Sequence, residues 1–376
     1  MSEFLTLQPE AFGLDISDLS LKIIKLKKEE RFFSLPGRRK SSSLKLASFG
    51  EEKIKPGIIK NGEIRGEEAL VESLKRSLTN LKGEKLETNY VVASLPEEKT
   101  FLEVIQMPKM IEKDLKSAVI YEAENYIPLP IEKVYLDFRV ISPVSNNLDH
   151  LDVLIVAMPR KTIDSYLSCL KKAGLVPKAL EIESQAIARA LIKNGISSLP
   201  ILLIDLGATR TSFIIFSGHS MRFTCSIPFS SQNLTEAISE TLKVDLNEAE
   251  KLKFKYGIQS DTKTKNNEVC EALIPPLNDL TEQIKKYLSF YLTHDTYEHV
   301  SPNGKKGIEK ILLCGGGANL KGLTEFLSLE LKVSVELANP WVNILSEPQK
   351  EVPELSFEKS LAFTTALGLA LRGVGK

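Results

Sequence analysis

Residues 201–216 read Ile-Leu-Leu-Ile-Asp-Leu-Gly-Ala-Thr-Arg-Thr-Ser-Phe-Ile-Ile-Phe, and the rest of the chain is organised around this stretch. Two apolar runs rich in β-branched residues flank a polar turn, which predicts a strand, a tight turn and a returning strand, buried on both faces. Gly207 lets the backbone bend and lets another group approach closely. Successive amides in such a turn suit phosphate oxygens, and Asp205 can hold Mg²⁺ directly or through water. On this stretch alone, an ordinary hairpin whose aspartate starts a turn remains an equal alternative.

A weaker copy of this pattern lies near the N-terminus. Residues 12–26 again form an apolar run that ends in an aspartate, Asp15, followed by a small polar turn and a second run of mixed apolar and lysine residues. Two such hairpins, half a chain apart, suggest two related halves that face each other across a cleft. Each half would supply one phosphate loop and one carboxylate on the metal side.

A third informative stretch, residues 311–323, runs from an apolar strand through three glycines into a helix. The glycines could bring bare backbone against a ligand; the alternative is a flexible strand-to-helix turn. The spacing matches neither a Walker loop nor a dinucleotide fingerprint. A lone triple glycine is a weak signal, whereas the three loops together favour a nucleotide cleft.

Composition limits the classes of function. The chain has 376 residues, 43% of them hydrophobic, which is enough for about two or three domains. Forty-nine basic residues balance forty-nine acidic ones, so we expect no nucleic-acid partner. The basic cluster at 38–40 reads as a solvated loop. No signal peptide and no apolar run of roughly 18 residues is evident. We therefore expect a cytosolic protein, or one that is peripheral to a membrane through a partner.

Residues 97–177 differ from the flanking sequence in the order of their predicted elements. This β-α-β-β-α pattern predicts a subdomain inserted into the first half. Its first helix, about 110–126, should turn Ile111 inward and should end at two prolines. Thr162 should cap its second helix. An uncovered strand edge in such a block is a template for an added extended peptide.

Several helices carry further candidates. Residues 245–257 have capping-box spacing at the start and a glycine at the end; Glu250 and Lys253 on this helix are either a surface pair or contacts to a ribose or base. Glu183, at a strand-to-helix junction, either orients a water or is a carboxylate favoured by the helix dipole. Residues 262–268 should be loose, 280–297 should form a long helix, and 357–372 should form one helix with small residues for close packing.

These stretches together resemble the actin/Hsp70/hexokinase superfamily, and within it the PilM family of type IV pilus assembly, a relative of the FtsA division proteins. The resemblance covers nearly the whole chain, and its inserted block is the most family-specific part. The motifs that carry it are Gly13-Leu14-Asp15-Ile16-Ser17 with Lys22, Gly57-Ile58-Ile59-Lys60-Asn61-Gly62-Glu63-Ile64, Tyr121-Glu122-Ala123-Glu124-Asn125-Tyr126-Ile127-Pro128-Leu129-Pro130, Leu180-Glu181-Ile182-Glu183-Ser184-Gln185-Ala186, the 201–216 hairpin, Ala249-Glu250 with Lys253, and the triple glycine.

The resemblance implies the fold class α/β, with an actin-like (ribonuclease H-like) two-lobed nucleotide-binding fold and an inserted α+β subdomain. The first lobe would comprise residues 1–96, completed by 178–200 and 356–376. The inserted, peptide-binding subdomain would be 97–177, and the second lobe, with phosphate and adenosine loops, would be 201–355.

The same resemblance implies residue roles in a site for ATP and Mg²⁺. Asp15 and Asp205 would face the metal through water, and Glu183 and Asp205 would be the catalytic residues. The phosphates would be held by the amides of Ser17, Asp18 and Leu19 and by Lys22 on one side, and by Gly207, Thr209 and Thr211 on the other. Glu250 and Lys253 would lie at the ribose or base, and Gly315, Gly316 and Gly317 at the adenosine. Ser17 stands where classical relatives have glycine, which puts fast turnover in doubt.

The function implied is an ATP-binding cytoplasmic adaptor of pilus assembly, peripheral to the inner membrane. It would bind the cytoplasmic N-terminal peptide of a PilN-like inner-membrane protein and contact other pilus assembly proteins, with self-association left open. Enzymatic activity is also left open, a slow ATPase being the activity that the family allows. The alternatives are an FtsA-like filament former and a sugar-kinase-like phosphotransferase, although no stretch clearly supplies the base that a kinase needs.

Overall fold

The computed structural model describes residues 10–30, 42–142, 149–258, 264–294, 307–345 and 354–375, so the basic cluster at 38–40 lies outside the described residues. The strands are β1 (Phe12–Ile16), β2 (Ser20–Glu30), β3 (Ser42–Lys53), β4 (Ile59–Lys60), β5 (Glu63–Ile64), β6 (Lys82–Gly83), β7 (Tyr90–Leu95), β8 (Phe101–Pro108), β9 (Val134–Val140), β10 (His150–Pro159), β11 (Val176–Ile182), β12 (Ser197–Leu206), β13 (Thr211–Gly218), β14 (Ser220–Ile227), β15 (Lys310–Cys314) and β16 (Ser334–Leu337). The helices are α1 (Glu67–Thr79), α2 (Glu112–Ala123), α3 (Arg160–Lys172), α4 (Glu183–Leu191), α5 (Ser231–Leu242), α6 (Leu246–Tyr256), α7 (Thr264–His294), α8 (Leu323–Leu331), α9 (Phe357–Leu361) and α10 (Thr364–Gly373).

The first sheet has the order β11-β7-β1-β2-β3-β6. Its central strand β1 pairs antiparallel with β2 and parallel with β7, and all five of its residues are buried. A Cβ at Gly13 would overlap the backbone of Ala366 in α10, so the glycine allows this helix to lie directly on the strand. The apolar character of β1 therefore follows from being covered on both faces.

The second sheet has the order β14-β13-β12-β15-β16 and contains the 201–216 hairpin as β12 and β13. Beside it, α7 begins earlier than predicted, at Thr264, and runs through Pro275 and Pro276. Its side chains at Val269, Leu273, Leu277 and Ile284 are fully buried, so tertiary burial outweighs the weak helix propensity of its polar first turn. The prediction of a loose segment is therefore wrong from Thr264 onward.

The third sheet, β8-β10-β9, is antiparallel and forms the inserted block together with α2 and α3. Two local predictions there are wrong. Ile111 precedes α2 and is 65% exposed rather than buried. Thr162 does not cap α3, because that helix begins at Arg160, directly after β10, and no side chain caps it.

The C-terminal region forms two helices, α9 and α10, where one was predicted. The carbonyl oxygen of Leu361 accepts a hydrogen bond from the amide of Gly315 at 2.9 Å, so it is engaged outside the helix at the point where the chain breaks. The predicted cap of α6 is confirmed, because the Asp245 carboxylate accepts the amides of Asn247 and Glu248. Among the described residues, no helix is long and apolar enough to cross a membrane.

Candidate nucleotide site

The two sequence-related hairpins have the same register in the structure. In the first sheet Asp15 lies opposite Lys22, and in the second Asp205 lies opposite Ser212. In each hairpin the aspartate stands two residues before the turn. The internal repeat read from the sequence is therefore a repeat of backbone structure.

Each turn is closed by the same hydrogen bond. The amide of Ser17 donates to the carbonyl of Ser20 at 3.0 Å, and the amide of Gly207 donates to the carbonyl of Arg210 at 3.0 Å. These two amides are engaged within the protein, so the expectation that Ser17 offers its amide to a phosphate is not met. Within the described residues, no acceptor is found for the amides of Asp18, Leu19, Ala208 and Thr209. Two pairs of adjacent amides thus remain for an anion.

A cavity of about 240 Å³ lies between the two turns. Most of the predicted site residues line it, namely Asp15, Ser17, Asp18, Leu19, Lys22, Glu183, Asp205, Gly207, Thr209, Glu250, Gly315, Gly316 and Gly317. Residues that were not singled out from the sequence also line it, among them Ser20, Glu98, Tyr166, Arg210, Ser231, Phe254 and Thr364. The structure therefore brings three distant loops to one cleft.

Two carboxylates face each other in this cleft. The Oδ1 atom of Asp15 accepts a hydrogen bond from Ser94 Oγ at 3.1 Å, and its Oδ2 atom lies 3.8 Å from Lys22 Nζ. Burial raises the pKa of Asp15 despite that lysine. Burial, and then the charge of Asp15, raise the pKa of Asp205 to about 6. A divalent cation between them would relieve this repulsion.

The donor set suits a metal that arrives with its own ligands. No group of three or more histidine, cysteine or acidic side chains in the described parts of the chain could hold a metal ion unaided. Mg²⁺ keeps several waters and is commonly bound by one or two carboxylates together with substrate phosphates. Asp15 and Asp205 match that requirement.

Glu183 is the first residue of α4 and lines the cleft. Burial, followed by the charges of Asp15 and Glu98, raises its pKa well above the usual range. The carboxyl group therefore holds its proton more tightly than an exposed glutamate does. Its Oε2 atom accepts the amide of Glu97 at 3.4 Å, which links α4 to the start of the inserted block.

Two predicted residues do not reach the cavity. Lys253 is 1% exposed, and its ammonium group donates to Ser231 Oγ at 2.9 Å, to Thr235 Oγ1 and to Glu250 Oε2, both at 2.7 Å. It joins α6 to α5 and holds Glu250 in place instead of contacting a ribose or base. Thr211 is fully buried, and its hydroxyl donates to the carbonyl of Phe229 at 2.8 Å.

The three glycines after β15 have different reasons for lacking a side chain. A Cβ at Gly315 would overlap Asp205 Oδ1, and one at Gly317 would lie 2.6 Å from Leu206 Cγ. At Gly316 the nearest atom would be Ala362 Cβ at 3.8 Å. Two glycines are thus required by the packing of the protein itself, and Gly316 leaves open space in the cavity.

Sequence reasoning missed the cation of the second turn. Arg210 Nη2 lies 2.9 Å from Asp18 Oδ2, and Arg210 also pairs with Glu98 of the inserted block. Arg210 stands in the quoted hairpin directly before the returning strand, and this position was a signal that was not used. Glu98 gave none, because it follows the strand-ending Pro96 in a polar stretch.

A cleft between two sheets, with a matching turn and a matching carboxylate from each, is the arrangement of the actin-like, two-lobed nucleotide-binding fold. The family model described as "Type IV pilus assembly protein PilM" matches residues 13–374. The chain therefore belongs to the PilM family of type IV pilus assembly.

Solved structures support the same assignment. The chain is similar to a structure of the "PilM-PilN type IV pilus biogenesis complex", with 30% identity, a TM-score of 0.76, and coverage of 98% of this chain and 99% of that one. It shares its fold with MreB 5 of Spiroplasma citri bound to AMPPNP, with 12% identity, a TM-score of 0.53, and coverage of 97% of this chain and 96% of that one.

Curated relatives include the cell division protein FtsA of Enterococcus hirae, which is 24% identical over 196 residues. That match covers 50% of this chain and 44% of the relative. The chain spans about half the length of the first curated relatives that it matches.

Proposed function

We propose that this chain is an ATP-binding, actin-like adaptor of type IV pilus assembly that works at the inner membrane through a PilN-like partner. The proposal of nucleotide binding rests on the pair of matching turns. Each turn has two amides left for an anion and one carboxylate beside it. Family membership supports the proposed role in pilus assembly.

In this proposal the amides of the two turns and Lys22 bind the phosphates, and Gly316 lies against the adenosine. Asp15 and Asp205 would hold Mg²⁺ through water, and the metal would neutralise phosphate charge when bound. Glu250, fixed by Lys253, would contact the ribose. Calorimetric titration with Mg²⁺·ATP tests this assignment.

We propose that hydrolysis is slow and depends on Glu183, because this group lies in the cleft and can accept a proton from a water only in its ionised form. Since its pKa is raised, the rate should increase with pH over a range that lies above the range in which an exposed glutamate titrates. In single-turnover assays, Glu183→Gln should be at least about tenfold slower and should lose the pH dependence. A variant that hydrolyses ATP like the wild type would remove this role.

The proposal of a protein partner rests on a second, larger groove of about 990 Å³. It is bounded by β9 of the inserted block, by β11 of the first sheet, and by Phe216 and Met221 of the second sheet. Within the described residues, β9 pairs only with β10, and β11 pairs only with β7, so each presents a free edge. A free edge bordering a groove with apolar side chains such as Phe216 and Met221 suits an extended peptide that is apolar at alternate positions.

We propose that the cytoplasmic N-terminal peptide of a PilN-like protein docks in this groove. Because the peptide becomes ordered on binding, its affinity should be moderate. Two exposed isoleucines allow a matched test. Ile196 lines the groove and is 54% exposed, whereas Ile111 is 65% exposed on the same molecule but lies outside the groove.

Fluorescence anisotropy with a labelled synthetic peptide measures this binding. Ile196→Asp should weaken it by at least about tenfold, since a carboxylate would be desolvated in the groove. Ile111→Asp should bind the peptide like the wild type. Equal affinity for both variants would place the peptide elsewhere.

A further inference from the structure

One guanidinium group joins three parts of the molecule at the cleft. Arg210 lies in the turn of the second sheet, and its side chain is 17% exposed. Its Nη2 atom is 2.9 Å from Asp18 Oδ2 in the turn of the first sheet, and its Nη1 atom pairs with Glu98 at the start of the inserted block. We call Arg210, Asp18 and Glu98 the clasp.

The acceptor side of the clasp is fixed by other contacts. The carboxylate of Asp18 also accepts the amides of Asn61 at 3.0 Å and of Gly62 at 3.1 Å. The carbonyl of Gly62 in turn accepts the hydroxyl of Tyr166, from α3 of the inserted block, at 3.1 Å. Asp18 is thus a preorganised acceptor, and Arg210 is the partner that can leave by rotating its side chain.

The cleft contains few cations that can attract an anion, and Arg210 is one of them. Carboxylates outnumber cations among the lining residues, since Lys22 and Arg210 are the cations of the described lining, against Asp15, Asp18, Glu51, Glu98, Glu183, Asp205 and Glu250. Arg210 follows directly after Ala208 and Thr209, whose amides are left for an anion. A planar guanidinium at that position can bind phosphate oxygens in a bidentate manner.

While the clasp is closed, the cavity is small for a nucleotide. About 240 Å³ is below the roughly 300–1,000 Å³ of ordinary ligand pockets. Asp18, Glu98 and Arg210 all line this cavity, so breaking the clasp would open space between the two turns for a triphosphate.

We propose that Arg210 is a phosphate ligand that exchanges between its clasp partners, Asp18 and Glu98, and the phosphates of a nucleoside triphosphate. The exchange releases the second-sheet turn from the first lobe and from the inserted block. This proposal rests on the proposed nucleotide function and deepens it, because it names the contact that triphosphate binding breaks.

We expect substitutions of Arg210 and of Glu98 to have opposite effects on nucleotide binding. Arg210→Gln removes the phosphate ligand and should weaken Mg²⁺·ATP binding by at least about tenfold. Glu98→Gln removes a competitor for the guanidinium and should tighten binding severalfold. In the Arg210→Gln background, Glu98→Gln should have little effect, because the competition no longer exists. Arg65→Gln, at an exposed ion pair with Glu63 outside the cleft, is the matched control and should bind like the wild type.

Calorimetry with Mg²⁺·ATP and with AMP provides the readout, and thermal melts check that each variant is folded. AMP lacks the outer phosphates, so Arg210→Gln should affect it much less. The proposal is overturned if Arg210→Gln binds ATP like the wild type, or if Glu98→Gln tightens binding equally with and without Arg210. Should Arg210→Gln not fold, the Glu98→Gln result decides alone: unchanged or weaker binding overturns the proposal. A wild-type protein without any ATP binding would instead refute the nucleotide function itself.

Discussion

At the scale of single residues, the cleft is dominated by carboxylates that lie too close together to ionise freely. Asp205 has a pKa of about 6, raised first by burial and then by Asp15. A raised carboxyl pKa means that the folded state binds this proton more tightly than the unfolded state does. Its contribution to stability is fully present below the unfolded value near pH 3.8 and is lost as the pH rises through about 6.

We therefore predict that Asp205→Asn stabilises the protein at neutral pH, in the absence of nucleotide and Mg²⁺. The free energy of unfolding should rise by about 1–3 kcal/mol above pH 6, because about 1.4 kcal/mol corresponds to each unit of pKa shift. The gain should shrink toward zero as the pH falls to 4. Urea denaturation between pH 4 and pH 8 measures it, with the exposed Asp114→Asn as control. A variant less stable than the wild type at pH 7.5 would contradict the electrostatic account.

Single residues also show where sequence reasoning succeeds and fails. Asp15 and Asp205 could be found because each ends an apolar strand just before a polar turn. Arg210 could not be paired with Asp18, because the two lie 192 residues apart in the chain. The family resemblance implies that Lys253 contacts a ligand, whereas its spacing defines only a helix face and not the depth at which the side chain is buried.

At the scale of secondary structure elements, local signals predicted the two hairpins and the capped α6 well. The elements that differed depend on contacts distant in sequence. The polar start of α7 is helical because its later turns are buried, and the break between α9 and α10 coincides with the bond from Gly315 to Leu361. The hydrophobic periodicity of the sequence does not reveal such tertiary contacts.

Close packing of α10 provides a prediction at this scale. A Cβ at Gly368 would overlap the carbonyl oxygen of Ala186 in α4. Gly368→Ala should therefore lower the free energy of unfolding by about 1–3 kcal/mol or more, as overpacking does. At Gly66 the nearest atom to an added Cβ is 3.8 Å away, so Gly66→Ala is the matched control. Urea midpoints that shift equally for both variants would show that the two helices are not so tightly packed.

At the scale of the whole molecule, the inserted block contacts both lobes. Its residue Asp152 forms an ion pair with Arg222 of β14 at 2.8 Å, and both side chains are buried. The clasp joins the same parts at the cleft. Strand β13 runs from the residue after Arg210 to the wall of the large groove at Phe216. The proposed nucleotide and peptide sites therefore lie at opposite ends of one strand, and a ligand that moves the lobes would affect both of them.

The general architecture was within reach of the sequence, because three loops and a block of altered texture indicated two lobes and an insertion. The resemblance also implies a peptide site between the first lobe and the inserted block, but the sequence does not predict the contribution of the second sheet to the large groove. It is formed by β9, β11 and the β13–β14 turn, which come from three separate regions of the chain and meet only in the folded molecule.

The most direct test of the central claim is a calorimetric titration with Mg²⁺·ATP of the wild type, Gly316→Leu and Gly66→Leu. The two glycines are matched, since an added Cβ has its nearest neighbour at 3.8 Å in both, but only Gly316 lines the cleft. We predict that the wild type and Gly66→Leu bind alike, and that Gly316→Leu binds at least about tenfold more weakly, a loss of about 1.4 kcal/mol. Equal affinity for all three proteins, or no binding by the wild type, would contradict the assignment of this cleft to a nucleotide.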